Sequence, residues 1–178
     1  MAIIRPACRE GRKEPVKMSI AIRRYEERDV IDVMSIWNKI IEDGEAFPQL
    51  DLLTEDEAKR FFGEQNDTTV AVDETDKVLG FYILHPNNVG RCGHIGNASY
   101  GVRDGLRGQG IGRLLVEDSL KRGHELGYKI MQFNAVVDCN PALALYKELG
   151  FIELGTVPGG FNYKDDHYED IHLMYHLL

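Results

Sequence analysis

The sequence predicts an α/β fold of the mixed α+β kind: one central sheet of about seven strands flanked by four helices. Three observations predict it. Short runs rich in β-branched residues, or alternating apolar and polar, take turns with longer segments whose apolar residues recur every 3.6 positions. Two adjacent strand runs are joined by a five-residue turn, Asp73 to Lys77, which makes a hairpin, so the sheet cannot be wholly parallel. No repeat and no interior linker breaks the 178 residues, a length suited to one domain.

The elements follow in order. Ile20, Ile22 and Tyr25 alternate with polar residues as a first strand. Asp29 is placed to cap a helix in which Val30, Val33, Met34, Trp37, Ile40 and Ile41 make one apolar stripe, stopped at Gly44. Thr54-Glu55-Asp56-Glu57 is a capping-box pattern that opens a second helix through Phe61 and Phe62. Thr69–Val72 and Val78–Leu84 form the hairpin, and Pro86 to Gly93 a loop. His94–Val102 is a fourth strand, Ile111–Leu126 a long helix ended by Gly127, and Ile130–Val137 a fifth strand. Asn140 at N-cap and Pro141 at N1 start the last helix, which Gly150 closes. Phe151–Val157 and Ile171–Leu177 supply the final two strands.

Charge and cysteine usage narrow the function. Lys and Arg number 21 against 29 Asp and Glu, a net charge of −8, which argues against a general binder of nucleic acid or anionic membranes. Cys8, Cys92 and Cys139 are odd in number, widely spaced and without a C-x-x-C, so neither a disulfide framework nor a zinc site is expected and a reducing cytoplasm fits. Asp165 to Asp170 mixes carboxylates with His167, but adjacent hairpin residues splay to opposite faces, so a polar loop is expected there and no metal. Residues 1–17 hold five basic and two acidic residues, a net of +3, and lack the apolar stretch of a signal peptide. They are expected to be a mobile extension of a domain spanning 18–178. No run of about 18 apolar residues occurs, so no membrane span is expected.

The informative segment runs from Val102 to Gly112, after a strand and into a helix. Gly108, Gly110 and Gly112 let backbone N–H groups converge on an anion, and the helix N-terminus behind them adds about half a positive charge. Arg103, Arg107 and Arg113 are expected to add whole charges, so a polyphosphate is the natural occupant. A dinucleotide fingerprint begun at Gly108 would need Gly or Ala where Arg113 stands. A P-loop begun at Gly105 would need Lys where Ile111 stands, and one begun at Gly108 would need Gly at Arg113.

Arg107-x-x-Gly110-x-Gly112 resembles the acyl-CoA pyrophosphate loop of the Gcn5-related N-acetyltransferases, the GNAT superfamily. Asn140 to Phe151, with Leu145-Tyr146 and Gly150-Phe151, is similar to that superfamily's closing helix and the turn after it. The element order agrees from Ile20 to Leu177. The resemblance implies a sheet splayed at its centre, acetyl-CoA as acyl donor, and direct attack by an amine in a ternary complex. It places acetyl-CoA on Tyr100, Val102, Arg107, Gly108, Gln109, Gly110, Ile111, Gly112, Arg113 and Asn140. It makes the Tyr146 hydroxyl the acid for the departing thiolate and puts Glu45 in the wall that meets the acceptor, where it draws in a cationic amine or removes its proton through a water. His85 is a further candidate base.

Asn97 and Asn134 each stand among small or apolar residues of a strand, where Asn is disfavoured and a buried amide must find partners. They bridge the two strands or bind the substrate. Gly93 to Ala98 and Met131 to Asn134 look like a subgroup that includes the yeast acetyltransferase of azetidine-2-carboxylate and related proline analogues, which implies a small amino-acid-like acceptor. A homodimer is the superfamily's common state. The alternatives are a non-catalytic acyl-CoA sensor and an acetyltransferase of protein N-termini or lysines.

Overall fold

A computed structural model describes residues 19–163 and 167–178. The expected extension, residues 1–17, lies outside the described residues, as do residues 165 and 166 of the expected polar loop. The elements are β1 (Ala21–Arg24), α1 (Val30–Asp43), α2 (Glu55–Gly63), β2 (Asp67–Val72), β3 (Val78–Pro86), β4 (Ile95–Val102), α3 (Ile111–Glu125), β5 (Ile130–Val137), α4 (Ala142–Glu148), β6 (Ile152–Asn162) and β7 (Tyr168–Leu177). Short 3-10 turns occupy Glu27–Asp29 and Gly90–Cys92.

Local signals account for most boundaries. Thr54 accepts a hydrogen bond from the Glu57 N–H while the Glu57 carboxylate accepts from the Thr54 N–H at 2.9 Å, the reciprocal box expected at the start of α2. Asn140 Oδ1 accepts from the Ala142 N–H at 2.9 Å and so caps α4. Asp29 departs from expectation. Its carboxylate accepts from the Glu26 N–H at 2.8 Å and from Arg23 at 2.7 and 2.8 Å, and it makes no side-chain cap to α1. The part-buried ion pair with Arg23 holds it against the preceding turn.

Among the described residues the strands form one seven-stranded sheet in the order β1-β2-β3-β4-β5-β7-β6. Every neighbouring pair is antiparallel except β4 and β5. These two are parallel and pair only at Ile95 with Ile130 and Gly96 with Met131. β4 then runs on to Val102 and β5 to Val137 without further pairing, so the sheet opens in a V. The helices cover both faces. Val33 and Trp37 of α1 and Phe62 of α2 pack on Phe81 and Ile83, while Leu115 of α3 and Tyr146 of α4 pack on Met131, Phe133 and Phe151. β6, at the edge, exposes Ile152, Leu154 and Val157.

One glycine of β4 sets how closely α1 approaches the sheet. A Cβ on Gly101 would overlap the ring of Phe81, including its Cζ at 2.9 Å, and approach Ile36 Cγ2 at 3.1 Å. Phe81 has no exposed surface and cannot yield. Gly101→Ala is therefore expected to lower stability by about 1–3 kcal/mol, the usual cost of overpacking, as measured by urea unfolding.

Candidate active site

The V-shaped opening leads into a cleft of about 580 Å³ on the α3–α4 face. One wall is the loop before α3, with Arg107, Gly108 and Gly110. Gly108 and Gly110 have φ of 79° and 84°, left-handed values that favour glycine, and open space lies where their side chains would be. Gly110 is the N-cap of α3 and provides no side-chain cap, so the first N–H groups of the 15-residue helix, at Ile111, Gly112 and Arg113, stay available beside the cleft.

The arginines behave differently from expectation. Arg103 turns away, donating to the Val78 carbonyl at 2.8 Å and pairing with Asp32. Arg113 lines the cleft but pairs with Glu148 and, at 3.8 Å, with Glu117. Among the described residues Arg107 has only Glu45, at 3.8 Å, with both side chains about half exposed. The positive character of the loop thus rests on the helix N-terminus and Arg107. Gln109 does not line the cleft. Where carboxylates are within reach, a charge count along the sequence overstates the field.

The floor is aromatic. Tyr146 of α4 is 7% exposed and packs on Phe133, Phe151 and Tyr100, with ring centroids 4.8, 5.5 and 6.1 Å away. Its hydroxyl has no hydrogen-bond partner among the described residues, and burial raises its pKa well above the ordinary value, so the phenol keeps its proton. Tyr100 differs. Ser119 Oγ spends its single proton on the Val116 carbonyl at 2.7 Å, so the Tyr100 hydroxyl is the donor in its 2.7 Å bond to Ser119. Of these two floor tyrosines, Tyr146 alone has a free hydroxyl among the described residues. Val102 and Asn140 line it as expected.

Asn97 and Asn134 do not line the cleft. Asn87 Oδ1 accepts from Asn97 Nδ2 at 3.2 Å and from Asn134 Nδ2 at 2.5 Å, and Gln132 Nε2 donates to Asn134 Oδ1 at 2.9 Å. Asn134 is exposed rather than buried. These amides bridge β4 and β5 just where backbone pairing ends, through Asn87, a loop residue with no periodicity to mark it. They lie on the face of α1 and α2, since Asn97 stands opposite His85, two residues along from the core residue Ile83. His85 Nδ1 lies 3.1 Å from the Pro86 carbonyl.

The rim also carries residues that periodicity could not single out: Tyr163 at the end of β6 and Cys139 in the turn before α4. Burial pushes the Cys139 thiol above its ordinary pKa, which disfavours the nucleophilic thiolate.

The geometry suits a donor whose anionic end rests on the loop and whose reactive end reaches Tyr146. The sequence model of the family described as "Acetyltransferase (GNAT) family" matches residues 32–151. The chain belongs to this family. The N-acetyltransferase aca1 of Schizosaccharomyces pombe is 30% identical over 137 residues, 67% of this chain and 66% of the relative, so the chain spans about two thirds of that relative's length. A Gcn5-related N-acetyltransferase of Kribbella flavida superposes with a TM-score of 0.83 at 33% identity, covering 89% of this chain and 98% of the other. The phosphinothricin acetyltransferase of Sinorhizobium meliloti, solved in complex with AcCoA, shares the fold with a TM-score of 0.83 at 22% identity, over 90% of this chain and 89% of the other. The splayed mixed sheet with its four helices is the GNAT fold.

In this GNAT chain the turn bearing Cys139 and Asn140 is anchored by His172 of β7. Its Nδ1 meets Glu153 and its Nε2 meets Asp138, both at 2.9 Å, and Lys147 of α4 joins Glu153 at 3.1 Å. With carboxylates at both nitrogens, the ring is held as the imidazolium. Hydrogen bonds to Glu153 and then Asp138 raise its pKa, and His172 first, then Lys147, bring Glu153 down to about 2. Stability from this clamp is complete between the unfolded values of 4.5 for Glu153 and 6.5 for His172; it is lost as pH rises through the raised folded value of His172 and as pH falls toward about 2. The urea midpoint of the wild type is expected to exceed that of His172→Gln most at about pH 6, the gap closing as pH rises. A gap that does not change with pH would mean an uncharged ring.

Proposed function

We propose that the chain is an acetyl-CoA-dependent N-acetyltransferase that acetylates the amine of a small amino-acid-like acceptor by direct attack in a ternary complex. The observation that carries this is the one cleft that joins the open glycine loop to the Tyr146 hydroxyl, which has no hydrogen-bond partner among the described residues and sits on a mostly buried side chain. The fit to acetyl-CoA rests on this geometry: left-handed glycines with nothing against them, uncapped N–H groups at the start of α3, and an apolar floor. Acetyl-CoA supplies a thioester whose carbonyl carbon the amine attacks as the carbon–sulfur bond breaks.

The chain's own residues do the rest. Arg107 and the N–H groups from Gly108 to Arg113, with Gln109 among them, hold the diphosphate. Backbone groups of β4 near Tyr100 and Val102, unpaired on the β5 side, hold the pantetheine amides and polarise the carbonyl, and Asn140 holds the head of α4 beside the arm. Tyr146 gives its proton to the departing sulfur. Glu45 attracts the ammonium form of the acceptor at the rim, and the amine's proton leaves through it and water. Asn97 and Asn134 border the opening from the opposite face and meet the acceptor's polar groups there. The likeness of their segments to the yeast azetidine-2-carboxylate enzyme favours an amino or imino acid. The work is that of a cytoplasmic homodimer, with the exposed apolar edge of β6 as the surface a second copy would cover.

Thiol release from acetyl-CoA, followed across amino acids, cyclic imino acids, phosphinothricin, polyamines and basic peptides, tests this. Release with one amine class is expected. Tyr146→Phe should lower kcat by about 10²-fold or more, as for loss of a general acid, with acetyl-CoA binding retained. Gly110→Glu should abolish the rise in Tm given by acetyl-CoA, because it puts a side chain at φ 84° and a negative charge on the loop. Release from no amine, with Tm still raised by acetyl-CoA, would leave a sensor rather than an enzyme.

A further inference from the structure

Tyr163 on the rim is a phenol that the proposed reaction does not use. It lines the cleft with Glu45, from the loop after α1, and Cys139. Its N–H donates to the His167 carbonyl at 2.7 Å and its ring meets that of His167 edge-on, centroids 6.1 Å apart, which fixes the end of β6. Glu45 borders the same rim and acts on the phenol through its charge. Desolvation, then the Glu45 charge and hydrogen bond, with Cys139 and Glu169 adding to them, raise its pKa and hold the hydroxyl as a donor.

The other partner of Glu45 is Arg107, 3.8 Å away, with the two side chains 46% and 59% exposed. A pair so long and so open contributes little. Arg107 belongs to the anion loop, where a diphosphate offers it more negative charge and better geometry than one distant carboxylate. With Arg107 so engaged, Glu45 keeps Tyr163 as its partner. The charged groups acting on this phenol, among the described residues, are then acidic: Glu45 and Glu169, the latter bonded to His167 at 2.7 Å.

Resting on the acetyltransferase reading, we propose that Tyr163 is a positioning residue that donates to Glu45 and turns its carboxylate into the cleft, so that the pair selects acceptors whose amine arrives as an ammonium cation. The covalent step is unchanged. The ammonium releases one proton through Glu45 and water before attack; after attack the nitrogen gives up a second, which by way of water restores the Tyr146 hydroxyl that has protonated the sulfur. An acceptor that is neutral at assay pH, such as an aromatic amine, gains nothing from the pair.

Steady-state kinetics at saturating acetyl-CoA, with the best amine of the panel, tests this in a double-mutant cycle of Tyr163→Phe and Glu45→Gln. Tyr163→Phe is expected to raise KM for the amine by about tenfold, the scale of one hydrogen bond to a charged group. KM for acetyl-CoA and Tm should not move. In the Glu45→Gln background the same change should have an effect below about twofold, and with an aromatic amine none in either background. Equal effects in both backgrounds, or a rise in KM for acetyl-CoA instead, would overturn the role given to Tyr163 while leaving the enzyme standing. If the unmutated protein acetylated no amine at all, the acetyltransferase reading would fall and this inference with it.

Discussion

Hydrogen bonding between β4 and β5 stops after two residue pairs, and the rest of the molecule is arranged around that break. Unpaired backbone groups in a protein interior are costly, so the groups released by the parting strands need water or a ligand. Three features occupy the gap. The Asn87 amides clasp its narrow end, the Tyr146 and Phe133 rings fill the α4 side, and the cleft keeps the wide end open. A continuous sheet from these strands would be more fully bonded and would have no cleft.

The opening also explains why residues distant in sequence meet. Glu45, Arg107, Cys139 and Tyr163 lie in four different connections, and all four border one rim because their flanking elements end at the parted strands. The floor beneath is apolar and rigid, whereas the rim is exposed and its ion pairs are long or shared. Groups that must hold still are placed on α4 and β4, and groups that exchange partners stand on loops.

Much of this architecture was legible in the sequence because its causes are local. The apolar stripe of α1, the capping box at Thr54, the Asn140 cap and the glycine loop each depend on residues within a turn or two of one another, and each stands where its pattern puts it. The failures are long-range. Asp29 is claimed by Arg23, Arg103 by Asp32, and Arg113 by Glu148, partners that no periodicity links. Asn97 and Asn134 stand out as misfits in their strands, but their common partner Asn87 lies in a loop with no pattern. Tyr163 carries no signal of its own, since its part depends on a carboxylate over a hundred positions away.

The brevity of the β4–β5 seam has a mechanical consequence. Strands β1 to β4 form one continuously bonded leaf and β5 to β7 another, joined in the sheet by two residue pairs, the amide clasp and the helices packed across them. Each leaf carries its own cooperative ladder, so thermal fluctuations concentrate at the seam rather than spreading evenly. The two leaves can breathe like the covers of a book whose spine is bound only at one end. The width of the mouth is then a soft coordinate of the fold, adjustable without breaking either ladder.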